Sequence, residues 1–285
     1  METHRSHLLL ATLFLLCSSG AFADSAPLPS VDVGGRKIVV PFPEDNLRSD
    51  GVNTTWDTAN AALLPPTNRL LMSFASKEDV ELLKKGEAVQ PRRGFNIQVT
   101  RNVESREIGD KTFAEVRGDA RAGIEKVRSN LDAEIKKLVA SGNTKLSGQF
   151  GADAALSISD TAVLGFFDES PSALGFTMAM KVGAKSDGDS AASRMVTAAM
   201  MTPVNGRLLN LYAHSDYTSE ADRQWVEKAV TTWRDALRAA NPKVQGPSAG
   251  GFDFGSVLRS AAIGGVVGAV AGLVAWLFKR KRRAA

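Results

Sequence analysis

Cysteine and histidine are almost missing from this chain. Its one cysteine is Cys17, and its three histidines are His4, His7 and His214. Three of these four residues lie in an N-terminal stretch whose pattern predicts its own removal. Met1 to His7 carries Arg5, Leu8 to Leu16 is an apolar run too short to span a bilayer, and Ala21-Phe22-Ala23 is the small–x–small pattern a signal peptidase accepts. Residues 1–23 are therefore expected to be a signal peptide, with Asp24 the mature start. A lipoprotein reading of Cys17 needs a small residue just before it, and Leu16 stands there. Without Cys17 the mature chain forms no disulfide and no thiolate metal site, and with His214 alone it builds no His-rich metal site.

Basic runs are also scarce outside the C-terminus. The chain carries 35 Lys and Arg against 31 Asp and Glu, a formal net charge of +4. Setting aside Lys279–Arg283 and Arg5 leaves 29 basic residues, and setting aside Glu2 leaves 30 acidic ones, a net of −1. The expected exported domain thus lacks the positive surface that a phosphate backbone requires, and no nucleic-acid partner is expected.

The one long hydrophobic run sits at the other end. Ser260 to Phe278 contains no charged residue, and Lys279-Arg280-Lys281-Arg282-Arg283 follows at once. Nineteen helical residues span about 28 Å, close to a hydrocarbon core of about 30 Å. A Lys/Arg cluster stays cytoplasmic, so the sequence predicts a single-pass protein of the inner membrane, with its N-terminal domain in the periplasm and residues 279–285 as a basic cytoplasmic tail. The bilayer is thereby the first expected partner. Gly264, Gly268 and Gly272 recur every four residues and predict weak self-association through a small-residue groove. A competing reading treats the C-terminus as a processed sorting signal, with Gly250-Gly251 as its motif.

Between the two ends, residues 24–242 suffice for an exported α+β domain, and residues 243–259, rich in Gly, Ser and Pro, read as a flexible tether. Met195–Val204 and Arg207–His214 flank Asn205-Gly206, a dipeptide suited to the positive φ values of a type I′ turn, and predict a two-residue β-hairpin. In that register His214 lies opposite Thr197; Leu209 and Leu211 share one face, and Leu208, Asn210, Tyr212 and His214 the other. Glu220 to Ala240 predicts a helix, with Ser219 as N-cap, Trp225, Ala229, Trp233, Ala236 and Ala240 as its apolar stripe, and Asn241-Pro242 as its stop. A second helix is expected over Asp119–Ala140, carrying an Asp132–Lys136 pair, and a shorter one over Lys77–Lys85. Further strands are expected at Lys37–Phe42, Arg69–Ala75, Gly94–Thr100, Thr161–Phe167 and Leu174–Val182. Pro43–Asn68 and Ala184–Ser190 read as loops, and Asn53-Thr54-Thr55 is a glycosylation sequon if the host is eukaryotic. The fold expected is α+β, a mainly antiparallel sheet flanked by helices in an α/β/α sandwich-like arrangement, followed by one transmembrane helix.

Catalytic motifs are the remaining absence. The sequence has no phosphate loop, dinucleotide-binding turn, zinc-protease helix, calcium loop or Ser-x-x-Lys arrangement. His214 stands next to Ser215 and Asp216, but neighbouring strand residues point to opposite faces, so Ser215 is badly placed as its nucleophile, and a surface or capping histidine is expected. Met178, Met180, Met200 and Met201 suit soft metals, yet methionines on strands usually fill a core. No catalytic, cofactor-binding or metal-ligating residue is assigned.

Pro41-Phe42-Pro43-Glu44, Pro66-Thr67-Asn68-Arg69-Leu70-Leu71, Val204-Asn205-Gly206-Arg207-Leu208 and the Trp233…Ala240-Asn241 helix end resemble a group of bacterial exported proteins of unassigned role with a C-terminal membrane helix. The hairpin-then-helix ending also resembles PsbP-like α/β/α domains, which implies binding or assembly rather than catalysis. The expectation is a membrane-tethered, non-catalytic domain that binds an unknown envelope protein or supports an assembly. The alternative is an envelope hydrolase whose site includes His214.

Overall fold

The computed structural model describes residues 27–242, apart from 88, 90, 129–130, 151–154 and 187–188. The expected signal peptide, tether, membrane helix and basic tail lie outside these residues. Among the described residues no helix is long and apolar enough to cross a membrane.

The Asn205-Gly206 turn forms as its chemistry dictates. Asn205 and Gly206 take φ of 45° and 74°, joining β8 (Asp189–Val204) to β9 (Arg207–Asp216) with Val204 opposite Arg207 and Thr197 opposite His214. Around this hairpin stand β3 (Leu47–Arg48), β4 (Asn68–Ala75), β5 (Arg93–Thr100), β6 (Ala155–Asp168) and β7 (Leu174–Ser186). They make one seven-stranded sheet in the order β3-β4-β5-β9-β8-β7-β6, every neighbouring pair antiparallel. A separate hairpin pairs β1 (Ser30–Val33) with β2 (Arg36–Val39).

Helices cover both faces. On one lies α5 (Glu220–Ala240), whose Val226, Val230, Trp233 and Leu237 pack on Phe95, Ile97, Leu209, Leu211 and Val196, with Val33 and Ile38 of the small hairpin closing the same core. On the other lie α1 (Thr54–Leu63), α3 (Asp110–Val127) and α4 (Leu131–Phe150), whose Leu63, Phe113, Val116, Ile124, Leu131 and Ile135 pack on Met178, Met180, Met195 and Ala199. The protein is thus an α+β domain with helices on both faces of an antiparallel sheet. A smaller core joins Trp56, Leu83 and Val89 beneath α2 (Lys77–Lys84).

The ends of α5 show why it forms where it does. Ser219 and Asp222 complete a capping box at the start. At the finish, the Asn241 carboxamide accepts from the Val39 N–H at 2.8 Å and donates to the Val39 carbonyl at 2.7 Å, so the helix end is bonded to β2. Trp233 donates its indole N–H to the Pro41 carbonyl at 2.8 Å and meets Phe74 and Phe95 edge to face. The buried stripe is Val226, Ala229, Val230, Trp233 and Leu237, rotated from the expected one; Trp225, Ala236 and Ala240 sit at its half-buried margin.

Three expectations are corrected. The helix expected over Asp119–Ala140 is two helices, α3 beginning at Asp110 and α4 continuing to Phe150; the Asp132–Lys136 pair does form, at 2.6 Å. The stretch Pro43–Asn68 is not one loop, because Asn53 caps α1 there, accepting from the Trp56 N–H at 3.1 Å while donating to the Leu83 carbonyl at 3.1 Å. Both ends of the Asn53 side chain are thereby used, which disfavours its reading as a glycan acceptor. Of Ala184–Ser190, residues 184–186 end β7 and residues 189–190 begin β8.

The outer strand β6 exposes backbone groups that could template association. Side chains from the adjoining helices occupy several of them. Asn143 bonds both the N–H and the carbonyl of Leu156 at 2.8 Å, and Arg128 reaches the carbonyl of Val163 at 3.2 Å.

Candidate functional site

His214 is not a surface or capping residue. It lies on β9 facing the α1/α3/α4 side and is 96 % buried (4 % exposed). The sequence reading failed because the alternation of β5 and β9 places Asn96, Gln98 and Thr100 beside Asn210, Tyr212 and His214, which looks like a solvated face. The structure instead buries this row, together with Asn68 and Ser73 of β4 and Thr197 of β8.

The row survives burial by pairing with itself, since a buried polar group without a partner costs about 1–3 kcal/mol. Asn68 donates to Gln98 at 2.9 Å, Gln98 donates to Asn96 at 2.7 Å, Asn210 donates to Thr100 at 3.3 Å, and the Ser49 and Ser73 hydroxyls are 2.8 Å apart. Carboxamides and hydroxyls dominate it, and the titratable members, Tyr212 and His214, are both neutral. Burial raises the Tyr212 phenol and lowers the His214 imidazole to about 4.

The imidazole occupies a notch made by Gly94 directly across the strand pair. A Cβ on Gly94 would stand 2.6 Å from His214 Nε2, so only glycine leaves the ring its place. Four side chains on this face, Asn96, Asn210, Thr197 and His214, each keep one polar atom with no partner among the described residues: Nδ2, Oδ1, Oγ1 and Nδ1.

This geometry bears directly on the hydrolase alternative. A general base needs a carboxylate to orient it, a hydroxyl within reach and affinity for a proton near neutral pH. His214 makes no ion pair with any described carboxylate and no hydrogen bond to Thr197, although Thr197 is its cross-strand neighbour. Ser215 faces the opposite side of the sheet, as alternation requires. Of the methionines, Met178, Met180 and Met201 lie in one core, and the sheet separates only Met200 from them. Among the described residues no group of three or more His, Cys, Asp or Glu could hold a metal ion.

Fold and site together define an antiparallel α/β/α sandwich with a buried, uncharged polar row around one neutral histidine. No protein-family model and no curated protein matches this chain.

Proposed function

We propose that this chain is a membrane-tethered extracytoplasmic domain with a non-catalytic role, binding an envelope protein or supporting an assembly. The observation that carries the reading is the state of His214, the only histidine after the expected signal peptide: buried, neutral, without a carboxylate partner among the described residues and poor as a base. The tether and its orientation rest on the apolar run Ser260–Phe278 and the five basic residues after it. The resemblance of the hairpin-then-helix ending to PsbP-like domains agrees with a binding role. Leu28 and Phe42 are the only large apolar side chains exposed among the described residues, which favours a polar, transient contact over a permanent apolar interface.

The test is His214→Gln in the chromosomal copy, with abundance measured by immunoblot. A structural histidine predicts a wild-type phenotype wherever abundance is unchanged. Loss of phenotype at full abundance would support the hydrolase reading. The abundance control matters because about 1–2 kcal/mol of lost stability alone changes protein levels.

A further inference from the structure

We infer that the cleft at the N-terminus of α5 is a binding site for a small zwitterion carrying a carboxylate and an ammonium group, such as the free ends of a short peptide. The cleft has a volume of about 320 Å³ and is lined by Arg92, Arg93, Ser215, Asp216, Thr218 and Asp222. This lies within the range of small-molecule sites, roughly 300–1,000 Å³.

The lining itself points to a ligand. Arg93 stands opposite Ser215 on the neighbouring strand, and its guanidinium lies 4.1 Å above the Trp225 ring, which in turn packs on Phe95 at 5.7 Å. The stacking holds the guanidinium plane without neutralising it: Arg93 pairs with no described carboxylate. Ser215 is 97 % buried (3 % exposed), lines the cleft, and its hydroxyl makes no hydrogen bond to any described residue. A held guanidinium beside a hydroxyl that no described residue engages is a natural receptor for a carboxylate.

The acidic side of the cleft supplies the second half. Asp222 is committed to the cap of α5, accepting from the Thr218 N–H at 2.9 Å and from the Ser219 N–H at 2.9 Å. Asp216 has only a 3.5 Å contact with the largely exposed Arg92. Burial raises its carboxyl from the ordinary value, against the opposing pull of Arg92, and the nearby Asp222 charge adds a smaller push in the same direction as burial. An ammonium group there would relieve both. Two guanidinium groups and two carboxylates leave the lining neutral overall, which suits a zwitterion and disfavours a dianion such as phosphate.

This assignment rests on the binding reading above, and its test separates the two. Full-length protein in lipid nanodiscs is titrated by calorimetry with triglycine, N-acetyl-triglycine, triglycine amide and inorganic phosphate. Triglycine is expected to bind saturably, and each end-blocked form about tenfold or more weaker. Arg93→Leu and Ser215→Ala should each weaken triglycine at unchanged melting temperature, and Arg93→Lys should not restore it, because an ammonium lacks the planar fork. Absence of saturable triglycine binding, equal binding of the end-blocked forms, tighter binding of phosphate, or an unaffected Arg93→Leu would each overturn the site. Release of glycine from triglycine would instead contradict the non-catalytic reading.

Discussion

Between pH 6.5 and about 4 the folded domain is expected to lose about 3 kcal/mol of stability through His214 alone. In the unfolded chain the imidazole takes up its proton near 6.5; in the fold, burial delays uptake to about 4. Across that window the unfolded state binds more protons, so stability falls as pH falls. Above 6.5 both states are neutral there and the histidine adds no slope. Asp57, Asp79 and Asp216 act in the opposite sense, because burial raises their carboxyls and the folded state protonates them first. The measurement is therefore a difference: urea unfolding of wild type and His214→Gln, residues 24–242, at several pH values. The two free-energy curves should converge by about 3 kcal/mol as the pH is lowered. Parallel curves would mean that the imidazole is not held neutral by the fold.

Arg207→Leu is expected to cost about 3–5 kcal/mol, the range for breaking a buried charged network. Arg207 begins β9 immediately after the Asn205-Gly206 turn and is almost wholly buried. Its Nε donates to the Val33 carbonyl at 3.0 Å and its Nη2 to the Gly34 carbonyl at 2.8 Å. Its Nη1 donates to the Arg106 carbonyl and to Glu107 Oε2, each at 3.1 Å. One side chain thus ties the small hairpin, the segment before α3 and the β8–β9 turn together. Glu107 is held from the far side by Arg36 at 2.7 Å, and a Cβ on Gly206 would stand 2.1 Å from Glu107 Oε1, so the carboxylate lies directly against the turn glycine. Arg207→Lys should lose nearly as much, because one ammonium cannot reach carbonyls spread around a planar fork. Chemical denaturation checks both variants, and a loss below about 1 kcal/mol for Arg207→Leu would show that the network is not a structural tie.

The elements legible in the sequence are those specified by adjacent residues. Asn205-Gly206 requires positive φ, and Ser219, Asp222 and Pro242 bracket α5, so hairpin and helix appear at their expected places. The helix α3 was missed at its start although Phe113, Val116, Ala120 and Ile124 already carry helical spacing. Its end was missed because apolar spacing runs on through Leu131 and Ile135 of α4. The helix α1 was hidden by its own cap, since Asn53 before two threonines reads equally as a sequon. Burial of His214 was not legible at all. Polar residues alternating along β5 and β9 are what a solvated strand face looks like, and only tertiary pairing, Asn68 with Gln98 and Asn210 with Thr100, lets them be covered. The cleft at α5 was equally silent, because Arg93 and Ser215 are distant in sequence and meet only through the β5–β9 register.

The proposed role depends on where the domain sits, and protease access in spheroplasts measures that most directly. One epitope is placed after Asp24 and a second after Ala285, and protease is added to intact spheroplasts and to lysed ones. The account predicts that the first epitope is digested in both, while the second survives in intact spheroplasts and is lost only on lysis, because five basic residues after Phe278 are expected to keep the tail inside. Digestion of the second epitope in intact spheroplasts, or protection of the first, would contradict it.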